Sequence, residues 1–380
     1  MSSRHSLSPM GTLMALSLLV CSACAVGQPP PLPIRSAQSD PVFDQMLKPQ
    51  QRGYLGADGA ASVEIAPGRV LWIFGDTTLG TGYSGSRKGP MIRNSIAIQD
   101  MTQGLPGTVE YFWNLEDKLV SDFFTPESWA DEYWYWPGCG INHDGKLYLF
   151  LTKLRSGEGP GGFAFESYDC TLFRVQNPLE HPDQWEMNRV DLGHGDQHFG
   201  LNVAAHVEDG HVYLLGYDDG PNDNPMVRAA ILARMPLNAL DSDSPGSAIE
   251  FLSEGDQWRP DRDGLKPLFR PGTTESGLYY NRKLGRYITG TMEPFKPQIY
   301  LATAEKLTGP WQLQKVYDIP QLMERTDDLY HAYTPRVHPQ LAQSDDTIVM
   351  TYVINTTDFW ASFSDMTIYY PRFVRLEIGE

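Results

Sequence analysis

Apolar positions along this chain fall in short alternating or continuous runs, bounded by Gly, Pro, Asn and Asp. Almost nowhere do they recur at the three-to-four-residue spacing of a helix. The pattern is clearest in residues 56–77, GADGAASVEIAPGRVLWIFGDT. Positions 61–66 alternate as a short strand, Pro67-Gly68 supplies a turn, and 70–74 form a second, continuously apolar strand. In an antiparallel pair the start of one strand and the end of the next share an edge. Asp58 and Asp76 are therefore expected at one rim.

The same design recurs. Second strands are read at 68–77, 145–154, 210–220, 285–294 and 346–357. Shorter strands precede them at 61–66, 139–144, 200–209, 276–283 and 335–343, and third strands follow at 94–100, 171–178, 229–237, 298–307 and 373–378. Five such units, repeating every 60–80 residues or so, predict an all-β chain folded as a five-bladed β-propeller. A large β-sandwich is the alternative, and the even repeat disfavours it.

The N-terminus has a different pattern. Arg4 and His5 precede an apolar run at 13–20 that is too short to span a bilayer, followed by Cys21-Ser22-Ala23-Cys24. This predicts a signal peptide over 1–24 of the lipoprotein type with Cys24 lipidated, or else ordinary cleavage near Ala23 or Ala25. Cys21 is atypical there, because Leu is usual. Residues 25–41, rich in Pro, read as a tether, and 42–380 as a single propeller domain. The expected location is periplasmic or cell-surface, with a lipid anchor as the only membrane contact. Cys139 and Cys170 remain after the leader, either paired in an oxidising compartment or as separate buried thiols.

Composition narrows the partner. The 380 residues hold 47 Asp and Glu against 30 Lys and Arg, a formal charge of −17. With no basic stripe, nucleic acid is excluded as the expected partner. No spacing matches a metal site, and no cofactor is expected.

A propeller brings the start of each inner strand and the end of each second strand to one mouth of the central channel. Blade one would deliver Asp58 and Asp76 there. Blade two would deliver the run Tyr133, Trp134, Tyr135, Trp136, and Lys153. Blade three would deliver His198, Asn202, Asp218 and Asp219, and blade four Glu275 and Glu293. Blade five would deliver Tyr333, Arg336, His338 and Asn355. Carboxylates, aromatics and hydrogen-bonding groups in this mixture suit carbohydrate, because rings cover the C–H faces of a sugar and polar groups take its hydroxyls. Glycoside hydrolysis needs two carboxyl groups. Asp58 is read as base or nucleophile and Glu275 as acid, with Asp76 supporting. Trp134, Trp136, Arg93, Asn202, His198, Tyr333, Arg336 and His338 are read as substrate-binding.

Structural readings compete with each of these. Asp76 can pin a strand end through Thr77, and the DDGPNDNP segment reads as a polar turn. Glu293 fits an exposed loop, the Trp/Tyr run fits packing between blades, and His338 fits a structural histidine. Arg87 and Arg93 can bind a substrate carboxylate or neutralise Asp76.

GADGAASVEI, LWIFGDTTLG, Arg87, Arg93-Asn94, WYWPG, Glu275-Ser276, LTGPW and YYPRF together resemble the family known as domain of unknown function 4185. That resemblance implies a five-bladed propeller glycosidase with acids on the inner strands, like the endo-acting D-arabinan hydrolases of glycoside hydrolase family 183. It also implies an acid at the second blade's first strand, where this chain has Cys139. The leading expectation is an exported glycoside hydrolase acting on a furanoside-containing polysaccharide or oligosaccharide, such as arabinan, or on another polysaccharide. The alternative is a non-catalytic surface lipoprotein binding glycan or protein. A phosphorolytic enzyme using Arg87, Arg93 and Arg336 is a third reading.

Overall fold

The computed structural model describes residues 28–128, 132–158, 164–220, 228–324 and 329–379. The leader and Cys24 lie outside them. Five antiparallel sheets succeed one another along the chain as the blades of a propeller. Blade one has strands Ala61–Ala66, Arg69–Phe74, Ser95–Asp100 and Thr108–Phe112. Blade two has Tyr133–His143, Lys146–Ser156, Phe165–Val175 and Met187–Asp191. Blade three runs Phe199–Glu208, His211–Asp218, Ala229–Pro236, Glu250–Ser253 and Gln257–Arg259. Blade four has Leu278–Asn281, Arg286–Thr291, Gln298–Ala304 and Gln312–Asp318. Blade five has Tyr330–Val337, Thr347–Thr356 and Pro371–Ile378, and its outer strand is Ile34–Ser39.

That outer strand corrects the reading of 25–41 as a tether. Ala37 pairs with Leu376 and Gln38 with Arg375, so the start of the described chain closes the ring against its end. The segment lacks a core pattern because one edge of an outer strand is enough to hold it. Asp40 then accepts from Val42 N and Phe43 N, both at 3.2 Å, and caps the short helix Pro41–Met46.

The continuous apolar second strands follow from burial on both faces. Side chains alternate along a strand, and each face of a blade meets a different neighbour. In blade one, Leu71 and Ile73 join the apolar cluster shared with blade two, while Val70, Trp72 and Phe74 join the one shared with blade five. The other three clusters fill the gaps between blades two and three, three and four, and four and five. Cys139 and Cys170 both lie in the cluster between blades two and three, as free thiols. Burial pushes the Cys139 thiol up to about 12.

Two first strands differ from their predicted positions. Blade five starts at Tyr330, five residues before the predicted start, and Pro339–Leu341 form a 3-10 turn after it. Blade two starts at Tyr133, so its aromatic run lies inside the strand. Pro137 and Pro335 interrupt the strand pattern in sequence, and each strand carries a bulge there: the register shifts between Trp136 and Cys139 and again between Tyr333 and Arg336. Above the mouth, blade one continues into a second sheet. Arg52–Ala57 pairs with Thr77–Tyr83, which also pairs with Ser86–Lys88 and Met91–Ile92. Among the described residues, no helix is long and apolar enough to cross a membrane.

Candidate functional site

Asp58 and Asp76 occupy the break between the blade-one hairpin and the sheet above it. Gly75 N donates to Asp58 O at 3.0 Å, and a Cβ at Gly75 would come within 2.2 Å of Asp58 Oδ1. Only glycine lets the two acidic corners come this close. Tyr333 Oη donates to Asp58 Oδ2 at 2.8 Å, and Asn355 Nδ2 donates to that same hydroxyl at 3.2 Å. With its oxygen accepting from Asn355, Tyr333 is left to donate to the carboxylate. Burial first, then the charges of Asp76 and Glu275, push the Asp58 carboxyl well above its usual range. The hydroxyls of Tyr333 and Tyr369 pull the other way.

Asp76 accepts from Trp136 Nε1 at 2.8 Å and lies 3.4 Å from Arg93 Nη1. Burial raises it to about 6, against the opposing Arg93 charge and Trp136 N–H. Tyr369 Oη donates to the Asp76 carbonyl at 3.1 Å, tying the end of blade five to this corner.

Glu275 precedes the inner strand of blade four. Ser276 anchors the turn, its Oγ donating to Gly290 O at 2.8 Å. Arg336, from the blade-five bulge, reaches Glu275 Oε1 with Nη2 at 3.1 Å. The rest of that guanidinium bonds Gly59 O at 2.7 Å, Gly138 O at 2.8 Å and Ser276 O at 2.9 Å. Arg336 is thus a buried cross-brace joining four blades. Burial raises the Glu275 carboxyl, and Arg336 limits the rise.

These groups face a cavity of about 700 Å³. Asp58, Asp76, Trp136, His198, Asp219, Glu275, Tyr333 and Asn355, all expected at the mouth, line it, together with Tyr369, Phe165, Tyr217, Arg228, Phe295, His331 and Phe359, which the strand pattern does not mark. Asp219 is not a solvated turn acid. It is 3% exposed and accepts from Arg228 Nε at 2.5 Å and Nη2 at 3.1 Å, with the guanidinium 4.6 Å from the Tyr217 ring centre. His198 Nδ1 lies 3.7 Å from the same carboxylate.

Several predicted mouth residues sit elsewhere. Trp134 packs under Arg93, at 4.5 Å, rather than lining the cavity. Asn202 is buried, and its amide donates to Thr152 Oγ1. His338 faces a second cavity of about 460 Å³ beyond Arg336, with Ser62 and Thr351 bonded to its two ring nitrogens at 2.6 and 2.8 Å. Burial and the Arg336 charge lower it to about 3, so it stays neutral. Arg336 lines that second cavity as well. Lys153 is paired to Asp191 at 2.6 Å, and Glu293 is exposed. Arg87 does not pair with Asp76: it is buried and donates to the carbonyls of Leu55, Ser362, Asp365 and Ile368. A strand pattern gives the order of residues but not the bulges that re-aim them. The Pro137-Gly138 and Pro335 steps were the available signals. Among the described residues no group of His, Cys, Asp and Glu is arranged to hold a metal ion.

Comparison with solved structures places the fold. A Bacteroides ovatus protein described as a candidate hydrolase matches at a TM-score of 0.71 and 17% identity, covering 90% of each chain. A GH43 beta-xylosidase/alpha-arabinofuranosidase from a compost microbial metagenome, solved with xylotriose, matches at a TM-score of 0.47 and 13% identity, over 90% of this chain and 94% of that one. A family 117 glycoside hydrolase from Zobellia galactanivorans matches at 0.46 and 10%, over 90% of each chain. No curated protein matches in sequence. The family match overturns the resemblance to domain of unknown function 4185: motifs such as FGDT and LTGPW are short and lie at strand ends and turns. With that resemblance goes the arabinan expectation drawn from it. Over residues 40–378 the chain matches the model of DUF5005, Domain of unknown function, and it belongs to that family.

Proposed function

We propose that this protein is a glycoside hydrolase whose working groups are Asp58 and Glu275, supported by Asp76. The observation that carries the reading is three carboxyl groups from two blades, each raised by burial, converging on one aromatic-lined cavity. Structural ion pairs are normally satisfied one to one; here three acids face two guanidinium groups, Arg93 and Arg336. Such crowding favours retention of a proton within the set near neutral pH, as acid–base work requires.

Asp58 is the base or nucleophile. Tyr333 and Tyr369 supply hydrogen bonds that suit its ionised form, and Glu275 ceases to repel it once Glu275 carries the proton. Glu275 is the acid. Desolvation lifts its pKa, and Arg336 keeps it from climbing beyond a usable range. In the reaction, Glu275 would give its proton to the leaving glycosidic oxygen. Asp58 would either take a proton from the attacking water or attack the anomeric carbon itself. The basic leader and Cys24 fit export with a lipid anchor.

Cys139 does not favour the non-catalytic reading. It is buried in the wall of the second cavity, below Arg336, so an acid in its place would not stand beside Asp58 and Glu275. A phosphorolytic site is likewise unsupported, because Arg87 and Arg336 are consumed by backbone carbonyls. The test is release of reducing ends from xylan, galactan, arabinan and laminarin by protein lacking residues 1–27. Turnover abolished by Asp58→Asn and by Glu275→Gln is expected. Turnover that survives both together would refute the assignment.

A further inference from the structure

The rim of the carboxylate cavity carries large, exposed aromatic side chains. Phe295 is 63% exposed and Phe359 is 42% exposed, yet both line the cavity. Phe295 comes from the loop between the second and third strands of blade four. Phe359 comes from the helix Phe359–Ser364 inserted in blade five. On the far side, blade two supplies Trp136 and Phe165, packed edge-on with ring centres 4.5 Å apart. The carboxylates lie between two aromatic walls, so the cavity is a trough with stacking surfaces on both sides of the reacting centre.

Phe295 has a second peculiarity. Its φ is +61°, a left-handed conformation that bulky side chains rarely adopt. The strained backbone presents an exposed ring, which meets His331 edge-on with ring centres 5.3 Å apart. A turn needing that conformation would ordinarily use Gly or Asn. Folding does not explain a phenylalanine there; a ligand face does.

Charge sets the class of ligand. Among the described lining residues five are carboxylates, and four of them, Asp76, Glu166, Asp219 and Glu275, each pair with an arginine, Arg93, Arg155, Arg228 and Arg336 respectively. Asp58 has no such partner, and none of the four guanidinium groups is left over to receive the carboxylate or sulfate of an anionic sugar, so an uncharged sugar fits best. We propose that Phe295 and Phe359 form a distal sugar subsite, and that the trough binds an extended chain of uncharged sugars. This rests on the carbohydrate reading of the mouth.

The test is affinity electrophoresis of the full trough in gels containing xylan, galactan, arabinan or laminarin, with polygalacturonate and carrageenan as anionic comparisons. Asp58→Asn/Glu275→Gln protein is run as the binding form, so that binding is read without turnover. Retardation by at least one neutral polysaccharide, weakened about tenfold or more by Phe295→Ala/Phe359→Ala, is expected. Tyr83→Ala serves as control, since Tyr83 is 69% exposed but does not line the cavity. Equal loss in the control, retardation indifferent to the Phe pair, binding confined to the anionic polymers, or no retardation at all would each overturn the subsite. Wild-type protein that binds through the Phe pair but cleaves nothing would leave the subsite standing and remove the hydrolase reading alone.

Discussion

Arg336 Nη2 meets Glu275 Oε1 at 3.1 Å, and the remaining donors of the same guanidinium bridge blades one, two and four through the carbonyls of Gly59, Gly138 and Ser276. One side chain therefore fixes both the ring and the charge of the acid. The arrangement has two consequences that can be separated by pH.

Arg336→Met keeps most of the volume and removes the charge. Breaking a buried pair while leaving its partner costs about 3–5 kcal/mol. Here the orphaned partner is a carboxyl whose pKa then rises further, because Arg336 was holding it down. A raised acid binds more protons folded than unfolded, so its contribution to stability falls as pH rises. The deficit of the variant is expected to be larger at pH 7.5 than at pH 4.5 in urea denaturation. An equal deficit at both would make Arg336 a brace without electrostatic effect on Glu275.

The two working carboxyls are distinguishable by leaving group. Glu275→Gln removes the proton donor, which matters when the departing oxygen is basic and little when it is a nitrophenolate. Losses of about 10²–10⁴ are expected on a natural glycan, with a much smaller loss on the nitrophenyl glycoside of the same sugar. Asp58→Asn is expected to suppress both. The reverse pattern would exchange the roles.

Asp76 links pH to stability. Its folded value of about 6 stands above the ordinary carboxylate value of 3.8. Stability from this group is highest below pH 4 and falls as pH rises through 6, by up to about 3 kcal/mol. Asp76→Asn keeps an acceptor for Trp136 Nε1 but cannot ionise. The variant should therefore lose less stability than wild type between pH 4.5 and 7.5. Calorimetric Tm values at the two pH values measure this, and parallel shifts would count against a raised Asp76.

The architecture was legible because the second strands are buried on both faces. Val70, Trp72 and Phe74 fill one gap between blades while Leu71 and Ile73 fill the next, and the sequence carries that requirement as an unbroken hydrophobic run. Asp58, Asp76 and Glu275 could be found because they flank such runs at Gly-rich corners. Arg336 and His338 could not be placed correctly, because the bulge between Tyr333 and Arg336 turns the strand into the ring's interior. Asp219 was hidden in a stretch that reads as solvated turn; its partner Arg228 lies beyond a segment with no strand pattern. The closing strand Ile34–Ser39 was missed because it is paired along one edge only, to Pro371–Ile378, and edge strands carry little hydrophobic signal.

Phe295 offers a test of whether a binding surface is maintained at the expense of the fold. At an unstrained position Gly is less stable than Ala, by about 0.4–1 kcal/mol, because it frees the unfolded chain. At φ +61° the order should invert. Ala retains the left-handed penalty of about 1–2 kcal/mol, whereas Gly does not. The ring is mostly exposed, so neither substitution opens a core cavity. Phe295→Gly is therefore expected to be more stable than Phe295→Ala by up to about 1 kcal/mol, and at least as stable as wild type, while both variants bind neutral glycan more weakly. Denaturation midpoints of the three proteins decide it. If Ala proves the more stable variant, the loop relaxes without strain and the conformational argument for a ligand face at Phe295 fails.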